Sequence, residues 1–432
     1  MPGSAFPAGL GLAVVGLGTE YPAHSLRAAD LEALSKRFYT DSPAMAKVMA
    51  INRAAGLETR ASIAPPDDLI YNQQTAPSIA DLHRIFMSKG VPLAVRAAKK
   101  AIRESTLPPT SITHIVSATC TDSANPGFDH FVARGLGIVH RPVEKVLLHG
   151  VGCSGGLAAL RTAAGLALGH AARGLPARVL CVTLEVNTPM VRSELDSVQR
   201  DGEVRIAACL FSDGATAVVL SNGVGEQQAA QEPVYELLGW EHRIIPDTED
   251  EIGFHVDPAG WKAVLTPRVP EVTAAAILPT FNDLLAALLP QLPPGYQTPA
   301  DFDWALHPGG LAILLNAQRA LGITREHLRA SYDVYATRGN SGSATVYSVL
   351  DRLRGGRERQ NGTAQDDGDD DDDDAQKGAQ DGGEGLREYV VACAFGPGVA
   401  IEMCVLRRRM PRVEQGACLD AQGLAQGIAD VS

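Results

Sequence analysis

The chain has 432 residues, 45% of them apolar, which is enough for a large core and far from the composition of a disordered protein. Its formal charge of −12 argues against a nucleic-acid binder, but Arg357–Glu384, with eleven acidic and three basic residues, carries −8 of it and leaves the body only mildly acidic. Seven scattered cysteines with no CxxC pair predict reduced thiols and no metal site. With no basic flank at the N-terminus and no uninterrupted apolar run near the ~20 residues of a membrane span, the expectation is a soluble, cytoplasmic protein.

In chain order, Leu12–Leu17 reads as a strand, Leu26–Phe38 as a helix capped by Ser25, and Ala44–Gly56 as a second helix carrying Lys47 and Arg53. Those two basic residues are candidates for a phosphate-rich ligand, although solvating the fold is the commoner role. Pro92–Ser105 reads as a helix and Ile112–Ala118 as a strand leading into the polar loop Cys120–Gly127. Lys145–Leu148 reads as a short buried strand, Gly155–His170 as an apolar helix, and Arg178–Leu184 and Thr216–Leu220 as further strands. A second series repeats the alternation: Val234–Trp240, Gly260–Pro270, the long helix Val272–Leu289, Trp304–His307, the helix Leu311–Leu321, a strand at Tyr332–Tyr335, the helix Ser343–Arg354, and strands at Tyr389–Phe395 and Val399–Leu406. The alternation predicts an α/β fold with a mostly parallel sheet. Residues 355–385, with eight aspartates between Asp366 and Asp374, predict a disordered acidic insertion, and residues 408–432 a loosely packed tail.

The stretch His149–Leu160, HGVGCSGGLAAL, places Cys153 between glycines on a turn from strand to helix. Exposed amides at a helix start favour a thiolate, so Cys153 is either a nucleophile or an inert buried cysteine. His307, followed by Pro-Gly-Gly, and Asn340, followed by Ser-Gly-Ser, stand on two similar loops. Each has a plain structural explanation, a satisfied core histidine and a helix cap. Together with Cys153 they supply a nucleophile, a base and an amide donor at strand ends, the parts needed for acyl transfer.

The stretches GVGCSGG, WALHPGG and RGNSGSATV, with CLFSDGATAV and AFGPGVAIE, resemble the type III polyketide synthases, the chalcone-synthase-like branch of the thiolase superfamily, in the correct order over roughly residues 12–406. GLETR, TDSANPGFDHF and GFHVDPAGWKAVLTPRVPEV are most similar to fungal members that make alkylpyrones, alkylresorcinols and resorcylic acids from long-chain starters.

The resemblance implies two similar α/β halves in a five-layer αβαβα arrangement, residues 1–225 carrying the cysteine and 226–407 the histidine and asparagine. It implies that Cys153 takes an acyl group from a coenzyme A thioester while His307 keeps it ionised through an ion pair. His307 and Asn340 would hold malonyl-CoA for decarboxylation, with no metal, redox cofactor or carrier protein, in a homodimer. Phe211 matches an aromatic gatekeeper; Cys120, Asn187 and Met190 stand where chalcone synthases have threonines; and Gly309 and Gly310 would line the substrate site. Ala263 replaces a second gatekeeper, with Trp261 two residues earlier, which would open the cavity for a long acyl chain. Asn125 stands where the family has a methionine reaching into the partner's cavity. Three alternatives remain at this stage: an initiating β-ketoacyl-carrier-protein synthase, a Cys-His-Asn hydrolase, and a non-catalytic thiolase-fold binding protein. The Phe-Gly-Pro-Gly near the C-terminus argues against the first, and the α/β series flanking Cys153 argues against the second.

Overall fold

Two strands buried along their whole length, Arg178–Glu185 and Gly214–Ser221, lie inside a nine-stranded sheet, and both read as near-continuous apolar runs because both of their faces are covered. The computed structural model describes residues 6, 9–225, 233–257, 260–354 and 386–410; the acidic run Asp366–Asp374 and the chain beyond residue 410 lie outside the described residues. In chain order the strands are β1 (Leu12–Glu20), β2 (His24–Leu26), β3 (Arg60–Ser62), β4 (His114–Ala118), β5 (Glu144–Leu148), β6 (Arg178–Glu185), β7 (Gly214–Ser221), β8 (Tyr235–Ile244), β9 (Ile252–Asp257), β10 (Gly260–Leu265), β11 (Asp303–Leu306), β12 (Tyr389–Gly396) and β13 (Ala400–Arg408). The large sheet runs β11-β12-β13-β8-β1-β7-β6-β4-β5, with β9–β10 and β2–β3 as separate two-stranded ribbons.

Only β4 with β5, β4 with β6, and β11 with β12 pair in parallel; the other described pairings of this sheet are antiparallel. The expected mostly parallel sheet is therefore a mixed one. The tight turn between β12 and β13 brings one antiparallel pair together, whereas a parallel pair needs a crossover.

Three apolar cores separate the layers. The first packs the helix Val91–Glu104 against β1, β6 and β7; the third packs Val269–Leu288 and Leu311–Leu321 against β8 and β11 to β13. Between them, the helices Gly155–Ala171 and Thr345–Leu353 touch strands of both halves. With the two ends of the one nine-stranded sheet on either side of these central helices, the order helix, sheet, helix, sheet, helix is the five-layer arrangement. Small residues let the two central helices meet closely: a Cβ on Gly156 would lie 2.7 Å from the Ser343 carbonyl oxygen. The Tyr347 hydroxyl closes the same contact by donating to the Gly156 carbonyl.

Several expectations need correction. Tyr332–Tyr335 is part of the helix Arg329–Arg338, because its apolar residues recur at a helical spacing, Tyr332 and Tyr335 both buried. The lone β5 is an edge strand whose first three residues are exposed, since no neighbour covers its outer side among the described residues. The first helix, Ala28–Phe38, is not capped by Ser25, which pairs in β2; the Asp30 carboxylate instead reaches back to the Arg27 amide at 2.7 Å. Arg408 does not begin a loose tail. It ends β13, 3% exposed, with its guanidinium 2.8 Å from the Asp303 carboxylate. One described helix, Val269–Gln291, is long and apolar enough to cross a membrane, but Glu271 and Asp283 interrupt it and its inner face belongs to the third core.

Candidate active site

Cys153 sits in the single helical turn Gly152–Ser154 that joins β5 to the helix Gly155–Ala171. Gly152 adopts φ +47°, and a Cβ there would press to 2.5 Å from the Pro397 ring. A Cβ on Gly396 would lie 2.4 Å from both the Val151 carbonyl oxygen and Ser154 Oγ. The Gly396-Pro397-Gly398 turn of the C-terminal half thus clamps the cysteine turn of the N-terminal half, and only glycine fits at the contact.

His307 follows β11. Its amide donates to the Cys393 carbonyl at 2.8 Å and its own carbonyl accepts from Gly309 at 3.0 Å, which fixes the backbone. The imidazole is 2% exposed, and neither ring nitrogen has a hydrogen-bond partner among the described residues. Two bare, buried ring nitrogens are costly unless something else uses them.

Asn340 follows the helix Arg329–Arg338 rather than a strand. Its amide donates to the Leu210 carbonyl at 3.1 Å and its carbonyl accepts from Ser212 at 2.8 Å, so it bridges to Phe211 as one strand residue to another. Its side-chain oxygen accepts from the Gly342 amide at 2.9 Å, which leaves the NH2 to point outward. That NH2 donates to the Gly309 carbonyl at 3.3 Å and lies close enough to the Cys153 sulfur to favour its thiolate. Cys153, Asn340 and the His307–Gly309 loop therefore form one group built from both halves.

Burial works against charge here. It pushes the Cys153 thiol up to about 12, helped by the Glu185 charge and opposed by Asn340 and the cysteine's own amide. It pushes the His307 imidazole down to about 3. Neither group ionises cheaply on its own.

Glu185, fully buried at the end of β6, escaped the sequence reading. It accepts from Ser343 Oγ at 2.5 Å, Thr121 Oγ1 at 3.0 Å and the Cys120 amide at 3.1 Å, tying the three loops around Cys153 together. Burial raises its pKa despite these donors. The Cys120 thiol also points at this carboxylate, at 3.3 Å. Asp213, after Phe211, plays a similar part for the cavity wall: it accepts from the Ile63 and Asn187 amides at 2.6 Å each and from the Thr188 amide at 2.8 Å. Burial lifts it to about 6. Arg60 is 3% exposed and holds the Phe211 carbonyl at 2.8 Å.

Asn187, Met190, Phe211 and Ala263 line one cavity, together with Val191, Glu194, Ala207, Ala208 and Phe254. Ala263 does not open it as expected. Across the β9–β10 ribbon Ala263 pairs with Phe254, which stacks on Trp261 at 5.5 Å and occupies the wall that Ala263 leaves. The space left is about 10 Å³, room for about one water. Gly309 joins the group through its carbonyl, and Gly310 begins the helix Leu311–Leu321 beside Leu210. Lys47 and Arg53 stand exposed on the helix Pro43–Ala54, Arg53 paired with Glu32 at 2.8 Å, and no described contact joins them to the cavity.

The chain matches the family model for chalcone and stilbene synthases in both parts, the N-terminal domain over residues 64–224 and the C-terminal domain over 236–372. It is 41% identical over 412 residues to the type III polyketide synthase pspB of Penicillium soppii, covering 92% of this chain and 96% of that protein. It is 37% identical over 398 residues to the acylalkylpyrone synthase csyB of Aspergillus oryzae, covering 92% and 94%. Among solved structures, a type III pentaketide synthase from Neurospora crassa superposes with a TM-score of 0.85 at 54% identity, covering 92% of this chain and all of that one. CsyB complexed with coenzyme A superposes with a TM-score of 0.82 at 36% identity, with the same coverage.

Proposed function

The chain belongs to the chalcone and stilbene synthase family and is a type III polyketide synthase with a thiolase-like fold, and from that premise we propose that it extends a fatty acyl starter with malonyl-CoA on Cys153. Membership in this family sets aside the carrier-protein synthase and hydrolase alternatives. The observation that carries the proposal is that Asn340 reaches both Cys153 and the Gly309 carbonyl, two residues beyond His307, whose buried ring nitrogens have no partner among the described residues.

In this scheme the Cys153 thiol passes its proton to His307 as the sulfur attacks the acyl-CoA carbonyl. Coenzyme A leaves as the thiol, taking a proton in its turn, and the acyl group remains as a thioester on Cys153. Malonyl-CoA then binds with its thioester oxygen between His307 and the Asn340 NH2. Loss of carbon dioxide leaves an enolate whose negative oxygen those two donors stabilise, one donor being worth about 3 kcal/mol. The enolate carbon attacks the Cys153 thioester, the sulfur leaves as thiolate, and the chain is two carbons longer. The scheme uses no metal, redox cofactor or carrier protein. Coenzyme A delivery is supported by the CsyB complex, with Lys47 and Arg53 as candidate phosphate contacts.

We place the product among the alkylpyrones, alkylresorcinols and alkylresorcylic acids. The apolar lining supplied by Met190, Val191 and Phe211 supports this, as does the name acylalkylpyrone synthase of one relative. A fatty chain enters this cavity only when Phe254 and its ribbon give way. A homodimer is part of the proposal, supported by the open outer edge of β5. Incubation with labelled malonyl-CoA and a ladder of acyl-CoA starters tests the reading. Polyketides from long-chain starters without any carrier protein are expected; no labelled product from any starter refutes it.

A further inference from the structure

The cavity beside the gatekeeper Phe211 is apolar except at two points. Asn187 is already engaged, its NH2 donating to the Ser212 carbonyl at 2.7 Å. Glu194 is not. It projects from the helix Val191–Asp201, 5% exposed, and one oxygen accepts from the Ala263 amide at 3.0 Å. The other oxygen is buried with no partner among the described residues. Arg205 flanks the same residue, its guanidinium 3.5 Å from the Ala263 carbonyl and another of its nitrogens on Glu203 at 2.7 Å. Ala263 is thereby gripped on both sides, which orients the Glu194 carboxyl and leaves its second oxygen for the cavity.

A buried polar oxygen with no partner costs free energy, and a hydrocarbon chain passing it would leave that cost in place. A poly-β-keto chain differs from a fatty chain in carrying an oxygen on every second carbon, as ketone or enol. A neutral carboxyl donates to a ketone oxygen, and a carboxylate accepts from an enol hydroxyl. Burial holds Glu194 near 7, against the pull of the Ala263 amide and of the Arg205 and Lys262 charges, so both forms are within reach at neutral pH.

We propose that Glu194 is a specificity-determining contact for the growing chain, its free carboxyl oxygen pairing with a keto or enol oxygen of the intermediate and fixing how many extensions occur before release. The contact rests on the reading of Cys153 as the acyl carrier. It reserves one position in an otherwise apolar cavity for the oxygenated, newly made part of the chain. Glu194 takes no part in loading or decarboxylation.

The test compares the full-length wild type with Glu194→Gln, which keeps an acceptor and a donor, and Glu194→Met, which keeps the length and loses both. Each is given dodecanoyl- or octadecanoyl-CoA and labelled malonyl-CoA. Products are sorted by number of extensions, normalised to acylated Cys153 measured by intact mass, and thermal unfolding is followed alongside. The Met variant is expected to lose about tenfold in the ratio of most-extended to least-extended product, the factor for one lost hydrogen bond, and the Gln variant to recover most of it. A wild-type ratio in the Met variant overturns the proposal, as does a Gln variant shifted as far as Met in step with a lowered melting temperature. A wild type that makes no polyketide overturns the reading of the site beneath it instead.

Discussion

Replacing Gly396 with alanine should cripple the enzyme without touching a reacting group. The added Cβ would meet the Val151 carbonyl oxygen and Ser154 Oγ, both at 2.4 Å, and the Ser154 Cβ at 3.1 Å. The serine hydroxyl can rotate away, at the cost of its 2.8 Å hydrogen bond to the Val151 carbonyl, but that carbonyl is backbone and cannot. Reaching an ordinary contact of 3.4 Å requires a shift of about 1 Å, shared between the β12–β13 turn and the turn that carries Cys153. Overpacking of this kind costs about 1–3 kcal/mol of stability. A 1 Å displacement of the nucleophile against Asn340 costs about a hundredfold in rate. The assay is steady-state condensation with an acyl-CoA and malonyl-CoA, alongside urea denaturation at 25 °C. A Gly396→Ala enzyme with wild-type kcat/KM would show that the two halves do not hold the cysteine turn in register, and would refute the reasoning.

Asn340→Ala should lower malonyl-CoA decarboxylation and condensation by about 10²–10³, the usual loss for one donor to a developing oxyanion, as read from carbon dioxide release and product formation. Phe254→Ala removes the side chain that fills the wall left by Ala263, so the preferred starter, read from competition between acyl-CoA chain lengths, should shift to longer chains. Asp303, fully buried, is held by Arg329 at 2.8 Å, Arg387 at 3.2 Å and Arg408 at 2.8 Å, and Asp303→Asn strands the buried Arg408 charge at a cost of about 3–5 kcal/mol in urea denaturation. Burial raises the Asp303 pKa, but Arg329 and Arg408 outweigh it and leave the pKa lowered. Its stabilising contribution is therefore present above the unfolded-state value near 4 and lost as pH falls through the lower folded value; the wild type should lose more stability on acidification than Asp303→Asn does.

Local chemistry made the nucleophile turn legible. Glycines around Cys153 and the alanine-rich run after it specify a strand-to-helix turn, and the structure has one. His307 was legible for the same reason, at the end of the apolar run Trp304-Ala305-Leu306. Asn340 was found by its Gly-Asn-Ser-Gly loop while the element before it was misread, because a four-residue window holds too few positions to tell a strand's period from the helical spacing of Tyr332 and Tyr335. The buried carboxylates were not legible. Glu185, Glu194 and Asp213 look like any surface acid until long-range folding supplies their donors from other loops. Phe254 was missed because its place in the cavity depends on the cross-strand register with Ala263, which no local pattern states. The sheet's mixed character was missed for a related reason: strand runs announce burial, and direction is set by which distant strands meet.

The central claim is that Cys153 carries the growing chain, and intact-protein mass spectrometry with peptide mapping tests it most directly. After incubation with an acyl-CoA alone, the wild type should gain one acyl mass, removable by hydroxylamine and mapped to the peptide containing Cys153, and Cys153→Ala should gain none. An acyl group mapped to another cysteine, or undiminished polyketide from Cys153→Ala, would contradict the account.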